Sequence, residues 1–131
     1  VDALVAATLA ELAIPPERVV IAGFSQGGAV ALRMLTQGER RFAGGVILSS
    51  YLAGNAPDPA SFSDANKDTP LFFGHGTFDD MVPMARGRAA HDLMAQRGGE
   101  VTWRSYPVPH SVSVPELGDI KGCLHRWLPA A

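Results

Sequence analysis

The most constraining feature of the chain is a glycine-rich turn, GFSQGG at residues 23–28, set between two apolar segments. The residues before it, 19–22, read VVIA, a short apolar run typical of a buried strand. The residues after it, 29–35, have the apolar spacing of a helix. The pattern therefore predicts a strand, a sharp turn and a helix, with Ser25 exposed at the carboxyl end of the strand.

A serine presented in this way is typical of a nucleophile elbow, in which Gly23 and Gly27 let the strand and the helix approach closely. The pentapeptide alone leaves two other uses open, a purely structural turn and a phosphate site made of backbone N–H groups. A P-loop needs Gly-Lys-Ser/Thr at its end, and the dinucleotide fingerprint needs G-x-G-x-x-G, and the sequence has neither. The strand-before, helix-after context favours a serine nucleophile on an α/β-hydrolase fold.

That fold requires an acid and then a histidine further along the chain. The segment TPLFFGHG at 69–76 is typical of a buried strand that runs into a turn, and Asp79 and Asp80 follow it. The segment VTWRSY at 101–106 alternates in the manner of a strand, and His110 follows it. These patterns predict His110 as the base and leave both aspartates open as the acid.

The remaining histidines and Asp119 fit structural roles better. His75 precedes the acid, which is the wrong order for the base, so we expect it to hydrogen-bond at the strand end and support the turn. His91 and His125 fall in helical patterns and are expected at the surface or half-buried. Asp119 lies early in the last helical pattern, where a carboxylate suits the helix dipole.

The chemistry explains why three residues are needed. A serine hydroxyl is a weak nucleophile at neutral pH, so His110 would accept its proton and later return it to the leaving group. An aspartate would orient the imidazole and stabilise its charged form. The oxyanion that forms needs backbone donors, of which the N–H of Gln26 is one and a loop after an early strand normally supplies the other.

With these residues in hand, the chain resembles the phospholipase/carboxylesterase family of small α/β-hydrolases, which includes the acyl-protein thioesterases. The matching segments are GFSQGGA (23–29), VILSSYL (46–52), HGTFDDMVP (75–83), TWRSYPVPH (102–110) and DIKGCLHRWL (119–128). The family pattern H-G-x-x-D-x-x-V-P makes its fifth position the acid, which is Asp79 here. The resemblance implies a Ser25–Asp79–His110 triad, no metal or cofactor, and a homodimer as a plausible assembly.

The chain departs from the family pattern at two points. Pro109 stands where the family usually has glycine, which restricts the backbone before His110 but leaves the imidazole in place. Family members also carry several strands and helices before the elbow, including the loop that supplies the second oxyanion donor, and nothing before residue 19 matches them. We therefore expect a single α/β-hydrolase domain over residues 1–131 that lacks the N-terminal strands of the full fold.

Composition excludes several other classes. The 131 residues are 47% hydrophobic and 18% charged, which suits one globular domain with a modest core. A net charge of −2 without a dense basic patch argues against nucleic acid as a partner. No apolar run is long enough to span a bilayer, and a single cysteine, Cys123, allows no internal disulfide and is expected in the core. A cytoplasmic location is the default expectation.

Alternating strands and helices predict βαβ units and a parallel sheet. We expect strands at 18–24, 44–50, 69–74 and 101–106, and helices at 26–37, 84–97 and 115–127. A first helix is expected to end at Pro15-Pro16, with the apolar residues Leu4, Val5, Leu9 and Leu12 on one face. One edge of such a sheet would be unpaired and open to another strand.

The carboxyl ends of parallel strands form the ligand crevice. Tyr51 and Leu52 follow the second strand and are predicted to line an acyl pocket, with Met81 and Val82 at its rim; ordinary anchoring of loops explains these apolar residues equally well.

Three functions compete. The first is a serine hydrolase that cleaves short- or medium-chain esters or thioesters through an acyl-serine. The second is a non-catalytic, hydrolase-like fragment without a complete oxyanion hole. The third, a peptidase or lactonase on the same scaffold, is weaker, since a dienelactone-type hydrolase would have cysteine at position 25.

Overall fold

The computed structural model describes residues 2–53 and 58–129. Within them, a parallel sheet is formed by four strands, β1 (Val20–Phe24), β2 (Gly44–Leu48), β3 (Leu71–Gly76) and β4 (Val101–Tyr106), in the order β1-β2-β3-β4. The helices are α1 (Asp2–Leu12), α2 (Gln26–Gln37), α3 (Met84–Ala95) and α4 (Val114–Trp127), with single 3₁₀ turns at Pro16–Arg18 and Pro59–Ser61. The parallel α/β architecture is as predicted.

The two faces of the sheet have separate cores because successive side chains of a strand point to opposite faces. Ile47 and Phe73 lie on one face and pack with α2 and α3, in a cluster that includes Leu32, Leu35 and Met94. Val46 and Phe72 lie on the other face and pack with α4 through Cys123. Cys123 is 3% exposed, so its predicted position in the core is confirmed.

Element boundaries shift from the predicted ones where local hydrogen bonds intervene. β1 begins at Val20 rather than residue 18, because the N–H of Val19 bonds back to the carbonyl of Pro16 in a 3₁₀ turn. β2 ends at Leu48 because Ser49 turns to a positive φ of 49°. β3 extends to Gly76 because His75 and Gly76 pair with Ser105 and Tyr106.

The first helix packs less than its pattern predicts. Val5 packs against the core, whereas Leu4 is 70% and Leu12 is 60% exposed, so the described residues cover the apolar face of this helix only in part.

β1 forms an edge of the described sheet, as predicted, and an apolar groove lies beside it. The groove has a volume of about 340 Å³ and is lined by Val5, Ile21, Ala22, Gly27, Val30, Ala31 and Met34. No residue of β1 is fully buried, whereas every residue of β3 is buried.

Candidate active site

The turn between β1 and α2 holds Ser25 in an unusual backbone conformation. Its φ of 56° and ψ of −120° lie in a region that side-chain-bearing residues rarely adopt. The neighbouring strand holds this conformation, since the Ser25 N–H donates to the Leu48 carbonyl over 2.8 Å and the Ser50 hydroxyl donates to the Ser25 carbonyl over 2.6 Å. The serine is therefore fixed at the carboxyl end of β1, with its side chain half-buried.

Two glycines allow this close approach, but they are not the predicted pair. A Cβ on Gly23 would lie 2.2 Å from the carbonyl oxygen of Gly27, and one on Gly28 would lie 2.6 Å from the Ser50 side chain. A Cβ on Gly27 would meet no described atom within 4 Å. The packing role expected of Gly27 is thus wrong, and Gly28 has it instead, because Gly27 faces the open groove beside β1.

The structure brings Ser25, Asp79 and His110 into one hydrogen-bonded chain. His110 Nε2 lies 3.0 Å from Ser25 Oγ, and His110 Nδ1 lies 2.7 Å from Asp79 Oδ2. A carboxylate only accepts hydrogen bonds, so Nδ1 carries the proton and Nε2 is left to accept the serine hydroxyl. The ring of Phe24 packs against the imidazole, with the two centroids 4.7 Å apart.

Asp79 is held as an anion by several hydrogen bonds. Its side chain is 0% exposed, and its Oδ1 accepts the backbone N–H groups of Met81 and Val82 over 2.9 and 2.8 Å. Burial alone would raise the pKa of this carboxyl, but the hydrogen bonds from Val82, His110 and Met81 outweigh burial and lower the pKa below its ordinary value. Asp80, the alternative acid, is exposed.

His75 supports the loop that carries Asp79. It is 1% exposed, and its Nε2 donates to the Val82 carbonyl over 2.8 Å. A Cβ on Gly87 would lie 2.3 Å from His75 Nδ1, so that glycine lets α3 pack directly on the ring. The supporting role expected of His75 agrees with this geometry.

The other acid and histidine candidates lie away from the triad. His91 is 9% exposed, with its ring against Phe73 and Trp103, so the expected surface or half-buried position is wrong. His125 is exposed. Asp119 accepts a 2.6 Å hydrogen bond from the hydroxyl of Tyr106. Burial, together with this contact, raises the pKa of the tyrosine.

The predicted pocket residues fall in different surroundings. Tyr51 is half-buried, and the Arg86 guanidinium lies 4.3 Å from its ring centroid. Leu52 lines a cavity of about 70 Å³ with Ala29 and Phe62. Met81 is 71% exposed, whereas Val82 is only 5% exposed and has little side-chain surface to offer a ligand.

Gly76 of β3, which the sequence analysis did not single out, allows the base to lie close to the acid. A Cβ on Gly76 would lie 2.2 Å from the Pro109 carbonyl oxygen, so this glycine lets the segment before His110 lie directly on β3. The N–H of Phe78 donates to the Val108 carbonyl over 3.1 Å and joins the two loops. The HGT sequence at 75–77 was the available signal, but it does not show which segment the glycine faces.

Glu116 was also missed as a residue near the site. It is 0% exposed and forms a capping box with Ser113 at the start of α4. The motif Ser113-x-x-Glu116 was the available signal, since Ser/Thr-x-x-Glu is typical of a helix start.

A sheet with helices on both faces, a serine at a strand–helix elbow and an Asp–His pair at later strand ends define an α/β-hydrolase fold. The sequence matches the phospholipase/carboxylesterase family over residues 1–128, and the chain belongs to this family.

Named relatives agree with the family. The chain is 37% identical to acyl-protein thioesterase 1 of Gibberella zeae, over 88% of this chain and 51% of that protein. It is 34% identical to carboxylesterase SOBER1 of Arabidopsis thaliana, over 86% of this chain and 50% of the relative. The chain thus spans about half the length of these relatives.

Solved structures agree on the fold. The crystal structure of Arabidopsis thaliana SOBER1 superposes with a TM-score of 0.86 at 33% identity, over 96% of this chain and 60% of that one. A phospholipase/carboxylesterase from Dyadobacter fermentans superposes with a TM-score of 0.78 at 28% identity, over 93% of this chain and 60% of that one.

Residues 2–53 and 58–129 contain neither a membrane-spanning helix nor a metal-binding cluster. No helix there is long and apolar enough to cross a membrane, and no group of three or more His, Cys, Asp or Glu side chains is arranged to hold a metal ion.

Proposed function

We propose that the chain carries the catalytic triad of a serine hydrolase that cleaves carboxylic esters or thioesters. The observation that carries the proposal is the continuous chain of contacts from Ser25 Oγ to His110, 3.0 Å, and from His110 to Asp79, 2.7 Å. A nucleophile within hydrogen-bond reach of a base, with the base oriented by a third group, is the geometry that activates serine. The family relationship and the names of the relatives support the same reaction class.

The reaction would have two halves. Ser25 Oγ attacks the substrate carbonyl carbon as His110 Nε2 takes the hydroxyl proton, and the tetrahedral intermediate then expels the alcohol or thiol, which receives that proton. Water next attacks the acyl-serine, His110 again takes a proton, and the acid leaves as Ser25 regains its hydrogen. Asp79 keeps the imidazole in the required tautomer and stabilises the imidazolium in both halves.

The oxyanion needs preorganised donors, each worth about 3–4 kcal/mol in related enzymes. Gln26 is the first residue of α2, so its backbone N–H has no acceptor within its own helix and is suited to this task. The second donor is expected from a loop after an early strand of the complete fold.

The substrate is proposed as a small ester or thioester with a short or medium acyl chain. Three residues are proposed to contact the substrate: Tyr51 and Leu52, which follow the second strand, and Met81, which lies near Asp79. Val82 is proposed to contribute only through its backbone N–H, which binds the Asp79 carboxylate. Dimerisation and a cytoplasmic location stay predictions.

A non-catalytic fragment is the competing function, and the open groove beside β1 favours it. Ser25 directly follows β1, so the groove beside β1 leaves one flank of the nucleophile uncovered by the described residues. A site open on this flank would bind poorly and lack the second donor.

Intact mass after treatment with a fluorophosphonate separates the two functions. An activated serine gives a single adduct, which we expect to disappear in Ser25→Ala and to persist in Ser105→Ala, a matched change at an exposed serine of β4. The absence of any adduct from a folded sample would contradict the hydrolase proposal for this chain.

A further inference from the structure

The carboxyl group of Glu116 lies between the two parts of the chain that carry the acid and the base. Glu116 is in the first turn of α4, six residues after His110, and its carboxyl packs on Gly74, five residues before Asp79. A Cβ on Gly74 would lie 2.0 Å from Glu116 Oε2 and 3.2 Å from Leu48 Cδ2. The side chain therefore fills the space between α4 and β3 at a point where β3 has no side chain of its own.

The capping box ties this carboxyl to the loop after His110. Glu116 Oε1 accepts the Ser113 N–H over 3.4 Å, and the Glu116 N–H donates to Ser113 Oγ over 3.2 Å. Ser113 is three residues after His110, so the loop between them is short and its end is fixed to Glu116. A displacement of Glu116 is therefore transmitted to the imidazole through few bonds.

The burial of Glu116 exceeds what helix capping requires. Glutamate is almost never fully buried unless it is paired, yet Glu116 is 0% exposed. Its Oε2 is buried and has no hydrogen-bond partner among the described residues. An unpaired buried carboxylate is costly, so the group is best accommodated as the neutral acid, and its retention in the fold calls for a reason other than stability.

We propose that Glu116 is a positioning residue, whose carboxyl acts as a spacer that holds the β3 segment leading to Asp79 and the loop carrying His110 at the separation their hydrogen bond requires. The inference rests on the proposed function for its consequence in catalysis. The spacing itself is a property of the fold and can be measured without turnover. A misplacement of about 1 Å at a reacting group costs about 100-fold in rate, so a small change here has a large effect.

The test uses two readouts on the same variants of the chain. The first is the downfield proton resonance of His110 Nδ1–H, which reports its hydrogen bond to Asp79 and is assigned by its loss in His110→Ala. The second is the rate of fluorophosphonate addition to Ser25. The variants are Glu116→Ala, which removes the spacer, Glu116→Asp, which shortens it, and Glu116→Gln, which preserves its size without its charge.

We expect Glu116→Ala and Glu116→Asp to lose or shift the His110 resonance and to slow addition by about 100-fold. Glu116→Gln should retain both, because it fills the same space. Ser113→Ala is the matched control: it removes the capping hydroxyl and lowers the melting temperature, but the Ser113 N–H still bonds to Glu116 Oε1, so the carboxyl stays on Gly74 and the resonance is expected to be unchanged.

The proposal is overturned if folded Glu116→Asp retains the wild-type resonance. Should Glu116→Ala fail to fold, Glu116→Asp decides alone, since it keeps an acid at a helix position that tolerates one. Failure of the proposed function looks different: wild type would show the resonance but no adduct.

Discussion

The two sides of the sheet, meaning the β3–β4 side and the β1 side of its strand order, differ in how completely neighbouring elements cover them. β3 is buried along its whole length, lies between two paired strands and packs against helices on both faces. β1 pairs on one side within the described residues and borders an apolar groove of about 340 Å³. The acid and the base come from the β3–β4 side, and the nucleophile comes from the β1 side. The difference teaches that the Asp79–His110 pair can be held rigidly by this chain, whereas the surroundings of Ser25 depend on what covers β1.

Removal of the base on the well-packed side is expected to have the largest effect. His110→Ala should reduce turnover or labelling to the background level, because removal of the base from a serine triad costs about 10⁶-fold in kcat. Rates of ester hydrolysis and of fluorophosphonate labelling measure this loss, and circular dichroism verifies the fold. Activity that survived in His110→Ala would show that another group activates Ser25.

A pair of neighbouring substitutions tests the acid. Asp79→Asn should lower the rate by about 10⁴-fold, because an amide leaves the imidazole in the wrong tautomer. Asp80→Asn, one residue away at an exposed position, is expected to be mild. Equal losses in the two variants would mean that the acid is wrongly assigned.

A matched pair of isoleucines compares a fully packed strand, β2, with the β1 edge. Ile47→Ala, at a β2 position that is 1% exposed, should reduce the free energy of unfolding by about 2–5 kcal/mol. Ile21→Ala, on β1 beside the groove, should cost no more than about half as much, because part of its side chain is already in water. Urea denaturation at several protein concentrations provides both values. A loss at Ile21 that grew with concentration to match Ile47 would show that a second copy covers the groove.

The smallest expected effect is the pH dependence contributed by Glu116. Burial, more than the nearby Asp119 charge, raises the pKa of this carboxyl above its ordinary 4.5, against the hydrogen bond from Ser113. The Glu116 charge also acts on Tyr106 of β4, and the carboxyl packs on Gly74 of β3 beside Leu48 of β2.

The direction of this pH dependence is set by whether the folded or the unfolded chain releases the Glu116 proton first. Below pH 4.5 Glu116 is protonated in both the folded and the unfolded chain. As the pH rises, the unfolded chain loses this proton first. The free energy of unfolding therefore falls until the pH has passed the raised pKa of the folded state. Wild type should therefore lose stability relative to Glu116→Gln as the pH increases from about 4.5, in denaturation curves measured across that range. Asp79 acts in the opposite sense, since its lowered pKa adds stability above 3.8 that disappears on acidification. A constant difference between wild type and Glu116→Gln would mean that Glu116 titrates normally.

The order of elements could be predicted from the sequence because it depends on local patterns. Ser25 and His110 were predicted together because the serine elbow requires an acid and then a histidine at later strand ends. Helix α2 was predicted with its observed bounds, since a serine turn precedes it and Gly38 follows it. Asp79 was separated from Asp80 only by the family pattern, because adjacent carboxylates are indistinguishable until the N–H groups of Met81 and Val82 are seen to fold around one of them.

What the sequence could not predict depends on contacts between distant segments. Gly27 and Gly28 are equivalent in a pattern, yet only Gly28 faces the Ser50 side chain. The burial of Glu116 depends on where the first turn of α4 lands on β3, and no local signal reports that. The exposure of Leu4 and Leu12 has the same origin, because an amphipathic pattern predicts a buried face without showing whether anything lies opposite it.

The backbone of Ser25 has a consequence for how this chain tolerates selection. A φ of 56° with a ψ of −120° costs a serine about 1–3 kcal/mol, and glycine adopts it with little penalty. A substitution of glycine at position 25 would thus raise thermal stability and remove the nucleophile. A screen that rewarded heat resistance alone would enrich glycine at position 25 and discard the nucleophile while leaving the rest of the fold untouched.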